Sequence, residues 1–218
     1  HGGWLGWADN AEKFATLVSD MDVASKLRGF SSNVANYQGL GTPCNASAFS
    51  TQLPLYCKGD GKDDACCADP CGLLSQWNSG NNEYNYVQMM TAQMEKSIAG
   101  FSPKWLIDTG RNGVDDMRND CANWCNARGA GVGLLPTTDT KLPGLVDALY
   151  WLKTPGESDG CTEELPSGDD CPRYDSMCGS ADSIGSKARA APARRGSLLS
   201  PFRAPHQPPP FPPSRPPP

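Results

Sequence analysis

The chain has 218 residues, 24 Asp+Glu against 19 Lys+Arg, a net charge of −5 and a mean hydropathy of −0.49. That is enough for one sizeable domain with its own core, and no apolar run approaches the roughly 18 residues a membrane-spanning helix needs. Six cations lie beyond Asp182, leaving 13 Lys+Arg against 24 Asp+Glu, or −11, in the body; so acidic a body argues against a nucleic-acid surface, which needs clustered positive charge.

The sequence opens on His1 with no charged-then-apolar leader, so the native N-terminus, with any signal peptide, is expected upstream. Residues 10–27 are predicted as a helix, because Phe14, Leu17, Val18 and Met21 fall at i, i+3, i+4 and i+7. Asn10 is placed to cap its start. Leu27–Val34 reads as a strand. Residues 41–83 hold five cysteines and many Gly, Asp and Asn, with little periodicity. A structureless loop that long needs pinning, which predicts a small insertion stapled by disulfides. Within it, Asn45-Ala46-Ser47 is a glycosylation sequon.

Residues 84–99 read as a second helix, with Val87, Met90, Met94 and Ile98 on one face and Gly100 as its stop. Two short apolar runs follow, Trp105–Ile107 and Leu145–Lys153, ending in the polar residues Asp108 and Lys153. Strands separated by helices predict an α/β fold with parallel pairing. In barrels of that class, polar residues at the strand C-termini line the site. From about residue 186 the sequence turns low-complexity, and 11 of the 20 prolines lie in the last 27 residues. Such sequence cannot bury enough apolar surface to order itself.

The ten cysteines suit either disulfides or zinc. Their even number, and the lack of matched Cys-x-x-Cys pairs, favour disulfides. The only histidines, His1 and His206, stand at opposite ends. Disulfides imply an oxidising, extracellular compartment.

Three groups of residues are candidates for chemistry. Trp4 and Trp7 are flanked by glycines, and Trp124 precedes Cys125. They suit either ordinary core packing or an exposed ring on which a sugar face stacks. The run Lys153–Gly160 puts Lys153, Glu157 and Asp159 in a Pro/Gly loop after a strand. Glycosidic hydrolysis needs an acid for the leaving oxygen and a base for water, and the bland alternative is a solvated charged loop. Arg111 follows Asp108 past another strand, as a site cation or a structural salt bridge. A Ser/His/Asp site has no Gly-x-Ser-x-Gly elbow and no internal histidine to build on.

Taken together, colinear runs resemble glycoside hydrolase family 6, the cellobiohydrolases and endoglucanases of β-1,4-glucans. They are His1-Gly-Gly-Trp-Leu-Gly-Trp7, Arg28-Gly-Phe-Ser-Ser-Asn-Val-Ala-Asn-Tyr37, Ile107-Asp-Thr-Gly-Arg-Asn-Gly113 and Trp124-Cys-Asn126 with Gly129-Ala-Gly-Val-Gly133. Asp147-Ala-Leu-Tyr-Trp-Leu-Lys153, Gly156-Glu-Ser-Asp159 and Pro172-Arg-Tyr-Asp-Ser-Met-Cys178 complete the set. The resemblance covers about 1–40 and 84–182. It implies the C-terminal part, residues 1–182, of a distorted parallel α/β barrel that acts by inversion without metal or organic cofactor, followed by a tail at 183–218.

By the same resemblance, His1, Trp4, Asn36, Trp124, Lys153 and Glu157 match positions that hold sugar rings. Asp159 matches the carboxylate that acts as base or steadies base-delivered water. Arg173 matches an arginine near that carboxylate, whose charge favours the ionised form a base requires. Cys125 and Cys178 match a family disulfide, Cys161–Cys171 is expected as a local staple, and Cys121 is expected to pair into the insertion. The implied partner is cellulose or another β-1,4-glucan, met as a secreted monomer. The long Lys153–Cys178 stretch implies a roofed tunnel and chain-end attack. The family's general acid, and the carboxylate that tunes it, lie upstream of His1. The chain alone is therefore expected to be inactive. The competing reading is a non-catalytic carbohydrate-binding or structural remnant that keeps the tryptophans.

Overall fold

The computed structural model describes residue 1 and residues 5–184. Trp4 and the low-complexity tail from residue 186 lie outside the described residues.

Three strands, β1 (Gly29–Ser32), β2 (Lys104–Asp108) and β3 (Val146–Tyr150), form a parallel sheet in the order β1-β2-β3. Each lies inside a stretch expected to be extended or one residue beyond it. Phe30 sits opposite Trp105, and Trp105 opposite Val146. A Cβ at Gly29 would lie 1.7 Å from the carbonyl oxygen of Lys104, so only glycine lets β1 come this close to β2.

The first helix, α1 (Ala8–Asp20), differs from expectation at both ends. Trp7, in extended conformation, precedes its first turn without a side-chain cap, and Asn10 lies inside the helix rather than capping it. Asp22 takes a φ of 51°, which breaks the helix before residue 27. Its buried face is Ala11, Ala15 and Val18, whereas Leu17 and Met21 are 54% and 60% exposed. The predicted stripe is therefore rotated: two alanines let α1 lie close against the second long helix, where larger side chains would not fit.

Two short helices follow in the insertion, α2 (Ala46–Ser50) and α3 (Leu53–Lys58), with 3-10 turns at Ala65–Cys67 and Leu74–Gln76. Ala48, Leu53 and Leu74 pack with Cys44 and Cys66 into a small core of their own. The insertion is thus a structured subdomain, more ordered than its sequence suggested. Asn45 caps α2 by accepting a hydrogen bond from the Ala48 N–H at 3.0 Å. Disulfides Cys44–Cys66 and Cys57–Cys67 close it internally. A buried asparagine rivets it to the body: Asn85 Oδ1 accepts from the Cys44 N–H at 2.8 Å, and Asn85 Nδ2 donates to the Cys66 carbonyl at 3.0 Å. Within the insertion, Asn81 Nδ2 donates to the Ala68 carbonyl at 2.9 Å.

The second long helix, α4 (Glu83–Ser97), is capped by Asn82, whose side chain accepts from the Asn85 N–H. Val87, Met90 and Met94 are fully buried along its predicted face. The chain leaves the helix at Ile98, and Gly100 turns it at a φ of 77°. Both long helices pack on the sheet, with Trp105, Ile107, Val146 and Leu149 as the sheet's share of the core. Phe30 lies 5.5–6.2 Å from the rings of Phe14, Phe101 and Trp105. The Trp105 Nε1–H donates to Thr91 Oγ1 at 2.8 Å, so its polar end is satisfied. Each such side chain contributes on the order of 1.5–3 kcal/mol by leaving water.

Between β2 and β3, among the described residues, there is no helix. The expected alternation fails there because the crossover is rich in Gly, Asn and Asp, which favour turns. Disulfides supply the order instead. Cys71–Cys121 ties the crossover to the insertion, as expected for Cys121, and Cys125–Cys178 ties it to the segment after β3. The Cys161–Cys171 staple is also formed, so all ten cysteines are paired. No helix among the described residues is long and apolar enough to cross a membrane.

Candidate active site

All three strands deliver their C-terminal ends to one place, and Asp108 at the end of β2 joins them. It is 2% exposed. Its carboxylate accepts from the Lys153 N–H at 2.8 Å, the Gly110 N–H at 2.8 Å and the Ala35 N–H at 3.3 Å. Asp108 is therefore a latch between the exits of β1, β2 and β3. It positions Lys153 and Arg111 and presents no oxygen to a ligand.

Beside the latch lies Asp159, its side chain 6% exposed. Arg111 Nη1 donates to both carboxylate oxygens, at 2.6 and 2.7 Å. Oδ2 also accepts from the Tyr37 hydroxyl and the Asn126 N–H, each at 2.9 Å. Lys153 Nζ stands 3.9 Å from Oδ1 and 3.1 Å from Glu157. Oδ2 is thus saturated, while Oδ1 keeps a lone pair free among the described residues. Asn126 clamps the same loop from behind: its Oδ1 accepts from the Asp159 N–H at 2.7 Å. It sits at a φ of 47°, which asparagine tolerates.

Arg111 itself is over-determined. Its guanidinium lies 4.4 Å over the Tyr37 ring, and Nη2 donates to the Ala35 carbonyl. Tyr37 is pushed up to about 12, chiefly by burial, with Asp159 also raising it and Arg111 opposing. It stays protonated and able to donate to Asp159 across the neutral range. The loop carrying Asp159 is held by Cys125–Cys178: a Cβ on Gly160 would lie 2.9 Å from the Cys178 sulfur and 2.7 Å from the Arg173 carbonyl oxygen.

Arg173 does not occupy the expected place. It is exposed, and it meets the loop through its carbonyl, which accepts from the Cys161 N–H at 3.0 Å. The guanidinium on Asp159 belongs to Arg111, which arrives from the end of β2. Tyr37 and Asn126 were not singled out from sequence. Both stand within the matched runs, at the end of Arg28–Tyr37 and in Trp124–Asn126.

His1, Asn36 and Trp124 come together along one cleft of about 770 Å³. His1 Nε2 lies 3.0 Å from Asn36 Nδ2, and the Asn36 Oδ1 accepts from the Tyr37 N–H at 2.7 Å. Trp124 is 36% exposed, a ring open to a ligand. Trp7 is anchored at the cleft's border, its Nε1–H donating to the Gln76 carbonyl at 2.9 Å. Asn36 precedes Tyr37, and Trp124 lies two residues from Asn126, so cleft and carboxylate are contiguous through the backbone. Glu157 instead faces a smaller cavity of about 280 Å³ with Arg111 and Asn126.

The sequence profile of Glycosyl hydrolases family 6 matches residues 1–55 and 64–193. Exoglucanase 3 of Agaricus bisporus is 34% identical over 186 residues, which span 84% of this chain and 35% of that protein. Among solved structures, cellobiohydrolase II of Humicola insolens in complex with glucose and cellotetraose aligns with a TM-score of 0.61 at 28% identity. That alignment covers 85% of this chain and 44% of the other. A family 6 enzyme from Coprinopsis cinerea aligns with a TM-score of 0.60 at 31% identity, over 84% of this chain and 43% of its own. The chain thus spans about a third of the length of that relative and under half of these two solved structures.

Proposed function

The chain belongs to family 6 of the glycosyl hydrolases, and from that premise we propose that it is the base-bearing, sugar-binding portion of an enzyme that hydrolyses β-1,4-glucan with inversion. The observation that carries the reading is Asp159, whose Oδ2 is saturated by Tyr37, Asn126 and Arg111 while Oδ1 accepts from Arg111 alone and keeps a lone pair beside Lys153. In an inverting enzyme one carboxylate receives the proton of the attacking water while an acid on the far side protonates the leaving oxygen. Asp159 Oδ1 is the atom placed for the first task. Its partner groups fix the carboxylate's orientation before substrate arrives, which lowers the reorganisation the reaction must undergo.

In this reading the glucan lies over Trp124, with His1 and Asn36 binding sugar hydroxyls and Lys153 and Glu157 flanking the reacting ring. The general acid comes from chain upstream of His1, about 6.5–9.5 Å across the sugar from the base. The mode is that of a cellobiohydrolase, supported by the long, stapled Lys153–Cys178 segment and the names of the relatives. The five disulfides support an extracellular setting.

The test of the missing acid is reducing-sugar release from amorphous cellulose by the purified 218-residue chain. No release above the buffer blank is expected. Clear turnover would show that the acid lies within these residues.

A further inference from the structure

We propose that the disulfide-stapled insertion, residues 41–83, is one wall of the glucan cleft and that Gln76 within it contacts the sugar chain. The proposal rests on the glucan reading above. It concerns the insertion's share of the cleft lining, which that reading does not use.

The cleft of about 770 Å³ has His1, Asn36 and Trp124 among its lining residues, together with Pro70, Leu73 and Gln76 from the insertion. The insertion is fixed in that position. The Trp7 Nε1–H donates to the Gln76 carbonyl, Trp7 and Asn78 form an antiparallel bridge, and the Ser79 N–H donates to the Gly6 carbonyl at 3.0 Å. The Cys71–Cys121 disulfide then joins the insertion covalently to the segment leading to Trp124. Both walls are thereby held at a set separation, which a bound polymer needs and a loose surface loop would not supply.

The chemistry of the wall suits a pyranose chain. Pro70 offers exposed apolar surface, Leu73 backs it from the interior, and Gln76 offers an exposed amide. Its Nε2 donates to the Gly72 carbonyl at 3.2 Å, which holds the side chain, while Oε1 accepts no hydrogen bond among the described residues. A sugar hydroxyl is a donor of the right kind for that oxygen. Beyond the disulfide, a second cavity of about 470 Å³ shares Gln38, Pro70, Asp116 and Arg118 with the first and reaches Tyr37. The wall therefore extends as far as Tyr37, the residue whose hydroxyl donates to Asp159.

The experiment is calorimetric titration of the 218-residue chain, disulfides intact, with cellohexaose, alongside Gln76→Ala, Gln76→Glu and Trp124→Ala. Gln76→Ala is expected to weaken binding by about 3–10-fold, the worth of one hydrogen bond. Its unfolding midpoint should be unchanged, because the side chain is exposed. Gln76→Glu keeps an acceptor oxygen but loses the donor to Gly72, and is expected to restore part of the affinity. If Gln76→Ala binds like the unaltered chain while Trp124→Ala does not, the insertion is no wall and the glucan reading survives. If the unaltered chain fails to bind, or neither alanine substitution matters, both are overturned.

Discussion

Tyr37 and Arg111 do to Asp159 what no single neighbour could: they fix it while leaving one lone pair of Oδ1 unused among the described residues. The Tyr37 hydroxyl is neutral when protonated, and burial favours that form, so its pKa rises from 10.0 to about 12. The stabilisation it brings is complete below pH 10 and is lost as the pH climbs through about 12. Ultraviolet titration of the folded chain should show a tyrosine ionising near 12 that disappears in Tyr37→Phe. An unchanged curve in that variant would place the hydroxyl elsewhere. Lys153, Glu157 and Asp159 were legible in the sequence as charges in one short loop, although the burial of Asp159 was not. The resemblance pointed to Arg173 as the cation near it; the guanidinium that meets it is that of Arg111, which the sequence offered only as a site cation or a structural salt bridge. Arg111 is 48 residues from Asp159, and only the parallel register of β2 and β3 brings their ends together.

The strands and the long helices were readable because each carries a local pattern: short apolar runs for β2 and β3, and Val87, Met90 and Met94 on α4. What failed locally was decided by neighbours. The buried face of α1 follows Ala11 and Ala15, because contact with α4 rewards small residues that hydropathy alone ranks low. The crossover from β2 to β3 and the insertion have little periodicity, and their order comes from disulfides and buried asparagines that bridge distant residues. Cys71–Cys121 joins residues 50 apart, so removing it with Cys71→Ser and Cys121→Ser together should cost about 4 kcal/mol. Denaturant unfolding without reductant measures this. A loss under about 1 kcal/mol would mean that the insertion docks by its non-covalent contacts alone.

Seen whole, the molecule is three parallel strands, two packed helices and a stapled subdomain that together present one carboxylate and one tryptophan-bearing cleft. The family was legible because its runs are colinear and chemically specific, and three of them, Arg28–Tyr37, Ile107–Gly113 and Asp147–Lys153, carry residues that meet at the strand ends. The shape of the cleft was not legible, since its walls come from four separate stretches of chain. The most direct test is a crystal of the chain soaked with cellotetraose. A glucose ring should stack on Trp124, hydroxyls should bond His1 and Asn36, and a water should bridge Asp159 Oδ1 to the sugar. An oligosaccharide bound away from Trp124, or one turned so that no part of it approaches Asp159, would contradict the account.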